Sequence, residues 1–224
     1  GFESGIGGWT TPAGVGANTW AISTALPHAG AQHMRGADPA AISDQRLVSP
    51  PVVLPTGENP VVLKFWHVPN LENSGTTACY DGGILEVSAD GGATWTQVPP
   101  ANLLVGPYTG AISSSFSNPL AGLQAWCSAA TTTYRQTIAD VSSYAGQTVQ
   151  FRMRIGSDTS VGRTGWDVDD VMVQSCQAPT AVELSRVEAS SSQSPAAPLV
   201  GLPLGALAAS VLALGAAYAL RRRA

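Results

Sequence analysis

Lysine is almost missing from this 224-residue chain: Lys64 stands alone, and fifteen acids face only eleven lysines and arginines in total. Outside the last four residues there is no basic stripe, which excludes nucleic acid as a partner. Catalytic signatures are missing too. His28, His33 and His67 form no H-E-x-x-H helix, and their neighbours do not supply zinc-ligand spacing. No G-x-S-x-G elbow occurs among the many serines, and no glycine loop is built to cradle phosphate. Paired carboxylates for glycoside hydrolysis stay open, because their separation is a three-dimensional quantity. The first residue is glycine, and no signal peptide precedes it.

The C-terminus is where the chain is richest in information. An uncharged apolar run from Leu199 to Leu220 is followed by Arg221, Arg222 and Arg223. As a helix that run reaches ~30 Å, the hydrocarbon thickness of a bilayer. Flanking arginines mark the cytoplasmic side, so the residues before it face outward. The sequence therefore predicts a transmembrane or sorting helix over 199–220, a cytoplasmic tail over 221–224, and a membrane as partner. A Ser/Pro/Ala-rich linker over 177–198 spaces this helix from a folded body. An exported chain anchored in this way needs an export signal, so it reads as the C-terminal part of a longer precursor.

The body, residues 1–176, has a single-domain length and the composition of many short strands. Val61 to Val68 is β-branched and aromatic, Ile84 to Ser88 follows an Asp81-Gly82-Gly83 turn, and Gly165 to Gln174 reads as a last strand. From Thr148 to Ile155, Val149, Phe151, Met153 and Ile155 alternate with Gln150, Arg152 and Arg154, which predicts one buried and one wet face. No sustained helical period appears. An all-β, antiparallel two-sheet sandwich is the economical reading.

Four local patterns carry chemistry. Ser88-Ala-Asp90-Gly-Gly92-Ala-Thr94-Trp95 matches an Asp box, in which Asp90 binds turn amides, the glycines accept positive φ and Trp95 packs beneath. A single copy is structural, and Asp90 is not catalytic. Secondly, the body opens with Glu3 and closes with Asp169 and Asp170 inside an apolar strand. If the first and last strands are neighbours, these acids meet, and clustered carboxylates suit a hard cation such as Ca²⁺. Asp44 is a weaker additional ligand. Thirdly, Glu72, Asp81 and Glu86 surround a turn and are explained by a wet turn, while His67 at a strand end reads as a hydrogen-bonded structural residue. Finally, Trp9, Trp20, Trp66, Trp126 and Trp166 are spaced like core residues, though an exposed pair would stack on sugar rings. The three cysteines, Cys79, Cys127 and Cys176, allow three disulfide pairings and leave one thiol over.

Gly1-Phe2-Glu3, Leu47-Val48-Ser49-Pro50, Phe65-Trp66-His67, Tyr80-Asp81-Gly82-Gly83 through Ser88, the Asp box, Asn118-Pro119-Leu120, Tyr144-Ala145-Gly146 and Gly165-Trp166 with Asp169-Asp170 follow one another in order. This succession resembles the MAM-like jelly-roll domains of secreted bacterial proteins. Those include the accessory domain of immune-inhibitor-A-type metallopeptidases and "choice-of-anchor" surface proteins. The resemblance implies a structural calcium held by Glu3, Asp169 and Asp170, and a Cys79–Cys127 disulfide that leaves Cys176 free. The tail is similar to the tripartite sorting signals of Gram-negative bacteria, but neither a Pro-Glu-Pro nor a Leu-Pro-x-Thr-Gly motif precedes the helix, so a sorting protease is not identified.

These expectations describe a non-catalytic, calcium-stabilised module of the bacterial cell envelope, serving adhesion, surface structure or recognition of a surface glycan or protein. The alternative is the C-terminal accessory domain of an exported metallo- or serine peptidase whose catalytic domain lies upstream.

Overall fold

The computed structural model describes residues 1–75, 78–128 and 131–175. Residues 176–224, with Cys176, the linker and the anchoring segment from Leu199 to Arg223, lie outside the described residues. Those described are nearly all β, with only two single 3₁₀ turns, Pro100–Asn102 and Ser142–Tyr144.

A six-stranded sheet runs in the order β1-β2-β14-β5-β12-β9, with β1 Ala21–Ser23, β2 His33–Gly36, β5 Val61–Asn70, β9 Leu103–Val105, β12 Arg135–Asp140 and β14 Gly165–Ser175. The second sheet runs β3-β13-β7-β8, from β3 Ser43–Val48, β7 Gly82–Ser88, β8 Thr96–Gln97 and β13 Thr148–Ser157, with β4 Val52–Val53 also paired to β13. Both sheets are antiparallel throughout. A small third sheet, β11-β10-β6, joins β6 Ala78–Cys79, β10 Gly110–Ile112 and β11 Gln124–Ala125, and its β10–β6 pair is parallel.

The two large sheets share one core. Leu63, Phe65, Trp166 and Val168 of the six-stranded sheet cluster with Leu47, Leu85, Phe151, Met153 and Ile155 of its partner. Two strand glycines exist because the sheets come this close. A Cβ on Gly83 would meet Trp166 at 2.6 Å, and one on Gly36 would meet Ile155 at 2.6 Å and Trp20 at 2.8 Å. Apolar residues of this core fill the facing surfaces at crystal-like density, so such a methyl has nowhere to go.

The alternation on β13 holds for one face only. Val149, Phe151, Met153 and Ile155 are buried, but the opposite face is not wet. Arg152 is 7% exposed, and its Nε lies 2.5 Å from Glu86. Arg154 grips Asp44 at 2.7 Å and Glu86 at 3.2 Å, and Arg46 reaches Asp44 at 2.6 Å. Three adjacent strands thus carry a covered ladder of ion pairs, capped where the Arg152 guanidinium lies 4.3 Å from the Trp95 ring centre. Burial disfavours the Asp44 carboxylate, yet its bonds to Arg154 and then Arg46 outweigh that and hold its pKa below the ordinary value. Asp44 is an arginine partner, which removes it as a cation ligand.

Cys79 and Cys127 are joined by a disulfide, with Cα atoms 5.7 Å apart across 48 residues of sequence. This bond ties β6 to the segment after β11. Closing a loop of that length stabilises by about 4 kcal/mol on chain entropy alone. A Cys79→Ser/Cys127→Ser double variant should therefore unfold at clearly lower denaturant, a loss of about 2–4 kcal/mol; an unchanged midpoint would show that the bridge restrains nothing.

Candidate functional site

Glu3 and the Asp169/Asp170 pair are tied to the same loop, but neither as neighbouring strands nor as one ligand cluster: among the described residues only Glu72, Asp81 and Asp158 bring three such ligand atoms within 4.8 Å of one another. Residues 1–8 form turns, and the first strand begins at Ala21. What joins the acids is the loop between β1 and β2. The Glu3 carboxylate accepts hydrogen bonds from the amides of Ala31 at 2.9 Å and Gln32 at 3.1 Å. Asp169 Oδ2 accepts from the His28 amide at 3.0 Å, and its Oδ1 from the Asp170 amide at 2.8 Å. Asp170 Oδ2 lies 2.8 Å from His28 Nδ1, and Gly1 N lies 3.5 Å from Asp170 Oδ1.

The chain reaches this geometry through a bulge. β14 loses register with β5 between Asp169 and Met172, and Asp170 takes φ +47°, a conformation aspartate tolerates better than most residues. Asp169 is completely buried, and the loop covers it. The His28 ring stacks on Trp66 with centres 4.2 Å apart, and Tyr134 Oη donates to Leu26 O at 2.7 Å. Two residues earlier on β14, Asp167 pairs with Arg35 at 2.5 Å and His33 Nε2 at 2.7 Å. His28, His33, Arg35 and Asp167 had no signal in the sequence beyond their residue types.

His67 sits in the core, not in a cleft. Trp166 Nε1–H donates to its Nδ1 at 2.9 Å, so Nε2 carries the proton and faces Thr137 Oγ1 at 3.1 Å. Thr137 in turn donates to the Gly106 carbonyl. Burial, and then the Arg135 charge, push His67 well below the usual histidine range. It is a neutral link between donor and acceptor.

The Asp box forms the turn its pattern specifies. Asp90 accepts from the Thr94 amide at 2.9 Å and hydroxyl at 2.6 Å and from the Ser88 hydroxyl at 2.7 Å, and these bonds lower its pKa to about 2. Gly91 and Gly92 take φ +72° and +90°.

The tryptophans offer no bare pair. Trp20, Trp126 and Trp166 are buried, Trp66 is half-covered by His28, and Trp9 is half-buried against Phe2. An aromatic pair is instead presented by Phe116, 44% exposed and edge-on to Tyr80 at 5.5 Å between ring centres. These two rings line a depression of about 120 Å³ with Glu72, Asp158 and Ser160.

The wet-turn reading of Asp81 and Glu86 fails. Glu86 is 4% exposed within the arginine ladder, and Asp81 is fully buried. Asp81 belongs to a carboxylate cluster that the sequence does not announce. Ligand atoms of Glu72, Asp81 and Asp158 lie within 4.8 Å of one another, and Asp38 abuts them. Burial first, and then the Asp38 charge, push Asp81 up to about 9, while burial also raises Asp38 and Glu72.

No protein-family model matches the chain. Over 194 residues, 83% of this chain, it is 26% identical to bacillopeptidase F of Bacillus subtilis (strain 168), of whose length it spans 11%. Among solved structures, TmCBM61 in complex with β-1,4-galactotriose is similar at 16% identity and TM-score 0.46, covering 79% of this chain and 94% of that one. The K3 cleaved adhesin domain of Lys-gingipain from Porphyromonas gingivalis W83 is similar at 19% identity and TM-score 0.44, covering 77% and 95%. These scores carry no argument about function, which rests on the residues described above.

The buried histidine yields a pH prediction. An unfolded chain protonates His67 near the ordinary pKa of ~6.5, whereas the folded protein does so only at much lower pH. The neutral core histidine therefore stabilises fully above ~6.5, and that contribution is lost as pH falls towards the folded value. Urea titrations should show stability falling by up to about 1.4 kcal/mol per pH unit below pH 6.5 from this group. In His67→Gln that segment of the profile should flatten; an identical profile in the variant would assign the dependence elsewhere.

Proposed function

We propose that this chain is a non-catalytic recognition module of the bacterial cell envelope, a MAM-like jelly roll that presents the Phe116–Tyr80 pocket to a surface glycan or protein. The observation that carries this reading is how the acid–base side chains are used. His67 is locked neutral in the core, and Asp44, Glu86 and Asp167 are paired with arginines. Glu3 and Asp169 are engaged by loop amides. The pocket, by contrast, offers an exposed aromatic ring beside carboxylates and a serine hydroxyl, the combination that holds sugar rings or polar peptide segments.

A structural Ca²⁺ on Glu3, Asp169 and Asp170 belongs to the same proposal. The donors are all hard oxygens, and each carboxylate has more lone-pair sites than the amide bonds it accepts; one ion would have to draw them closer together, since among the described residues only Glu72, Asp81 and Asp158 bring three such ligand atoms within 4.8 Å. Calcium there would pin the β1–β2 loop across Trp66. The segment from Leu199 to Leu220, with Arg221, Arg222 and Arg223, anchors the module or is processed by a sorting protease. Deleting residues 199–224 should release the protein from the membrane fraction, and persistence in that fraction would refute anchoring.

Recognition is tested by affinity electrophoresis in a panel of polysaccharides, with reducing-end release measured in parallel. Retardation without release is expected, and Phe116→Ala should weaken it about tenfold, the equivalent of one stacking contact, while melting unchanged. Release of reducing ends would overturn the non-catalytic reading, and retardation equal in the variant would move the ligand away from this pocket.

The similarity to bacillopeptidase F favours a second reading, in which this module is the accessory domain of an exported peptidase. A peptidase catalytic domain encoded immediately before Gly1 would support it. Further copies of the same module there would favour adhesion.

A further inference from the structure

We propose that Asp38, Glu72, Asp81 and Asp158 form a second divalent-cation site, of calcium type, at one end of the sandwich. Four strand ends build it: Asp38 follows β2, Glu72 follows β5, Asp81 precedes β7 and Asp158 follows β13. Both large sheets contribute, so the four acids are brought together by the fold and not by one local turn.

The cluster is pre-shaped. Asp81 Oδ1 accepts the Asp158 amide at 2.6 Å, and Asp158 Oδ1 accepts the Ser160 amide at 2.8 Å. Asp38 accepts from the Ser157 hydroxyl at 2.9 Å and the Arg163 amide at 3.2 Å. Each of these bonds fixes a carboxylate's orientation, as supporting contacts do around metal ligands. One oxygen is left out: Asp81 Oδ2 has no hydrogen-bond partner, although Asp81 is 0% exposed. Among the described residues it is the one buried carboxylate oxygen so placed. Ionised and without a donor, that buried oxygen would cost several kcal/mol, so it must be answered by a proton or by a cation. Asp38 brings no positive charge of its own and can answer Asp81 only by sharing a proton with it.

The spacing suits the cation. Calcium binds oxygens at 2.3–2.6 Å, so ligands across the ion stand up to about 5 Å apart. Ligand oxygens of Glu72, Asp81 and Asp158 lie within 4.8 Å of one another. The set is entirely carboxylate, which fits a hard cation and not a thiophilic or imidazole-seeking one. Glu72 and Asp158 also line the pocket beside Tyr80 and Phe116, which gives the ion an entry path and room for water ligands. This site uses none of the residues assigned to the calcium on Glu3, Asp169 and Asp170, and it stands whether or not the pocket recognises a glycan.

The competing occupant is a proton shared between Asp38 and Asp81. Calorimetric titration of chelator-treated full chain with CaCl₂ separates the two. Wild type should bind calcium, and Asp81→Asn should bind one equivalent fewer per chain. In Glu3→Gln the Asp81-dependent equivalent should persist, so failure of the first site is read separately from failure of this one. Asp81→Asn keeps the Oδ1 acceptor and the shape of the side chain, so its melting midpoint in chelator should stay near that of wild type. Asp158→Asn, which keeps the acceptor for the Ser160 amide, gives the same count if Asp81→Asn does not fold. Calcium stoichiometry unchanged in these variants, or no binding by wild type, leaves the shared proton in place and overturns the proposal.

Discussion

A buried carboxylate must be compensated, and this requirement organises the sandwich. The chain has one lysine, so it cannot spend ammonium groups on the task. It uses arginines and backbone amides instead. Asp44 and Glu86 are bridged by Arg154, with Arg46 and Arg152 at the flanks, and Asp167 is held by Arg35 and His33. Arginine's planar fork spans two acids at once, which a lysine could not do. The outer face of the β3–β13–β7 sheet is therefore neither apolar nor wet, but a closed charge network. Removing one member leaves its partner buried and unpaired, at a cost of about 3–5 kcal/mol.

Amides do the same work around β14. The bulge at Asp169 and Asp170 turns two carboxylates onto the β1–β2 loop, and Glu3 grips that loop from the N-terminal segment. His28 then closes over Trp66. Ordering a loop costs backbone entropy of about 1–2 kcal/mol per residue, so it is held at several points and not one. The consequence is a link between residues 1–3, the loop and the central strand, which makes the N-terminal segment part of the sandwich although it contributes no strand of its own.

The long strands were legible because side-chain alternation reports directly on backbone period. Val61–Asn70, Gly82–Ser88, Thr148–Ser157 and Gly165–Ser175 lie where β-branched and alternating residues put them. What alternation does not report is whether the polar face is covered. Arg152 and Arg154 read as solvent-facing, and only their cross-strand partners Glu86 and Asp44 show otherwise. Glu3 and the Asp169/Asp170 pair were readable as two carboxylates inside an apolar strand need compensation, but the loop between them was not. Asp81 was misread for a physical reason. Asp-Gly-Gly is a strong turn signal, and turns are usually wet, whereas here the turn is roofed by the ends of other strands. Asp38 and Asp158 carry no local pattern, since what brings them to Asp81 is sheet order, across 77 residues of sequence in the case of Asp158.

Satisfaction of polar atoms separates the acids of this protein into two kinds. In the arginine ladder and at the loop clamp, donors inside the chain answer the carboxylates, and such groups stabilise or position the fold. In the cluster of Asp38, Glu72, Asp81 and Asp158 the internal donors run short by one buried oxygen, and the same cluster borders an open pocket with an exposed aromatic edge. Among the described residues, Asp81 Oδ2 is the one buried carboxylate oxygen with no donor. The unanswered oxygen and the open pocket lie at the same end of the sandwich, and there a cation in the pocket would reach both sheets at once.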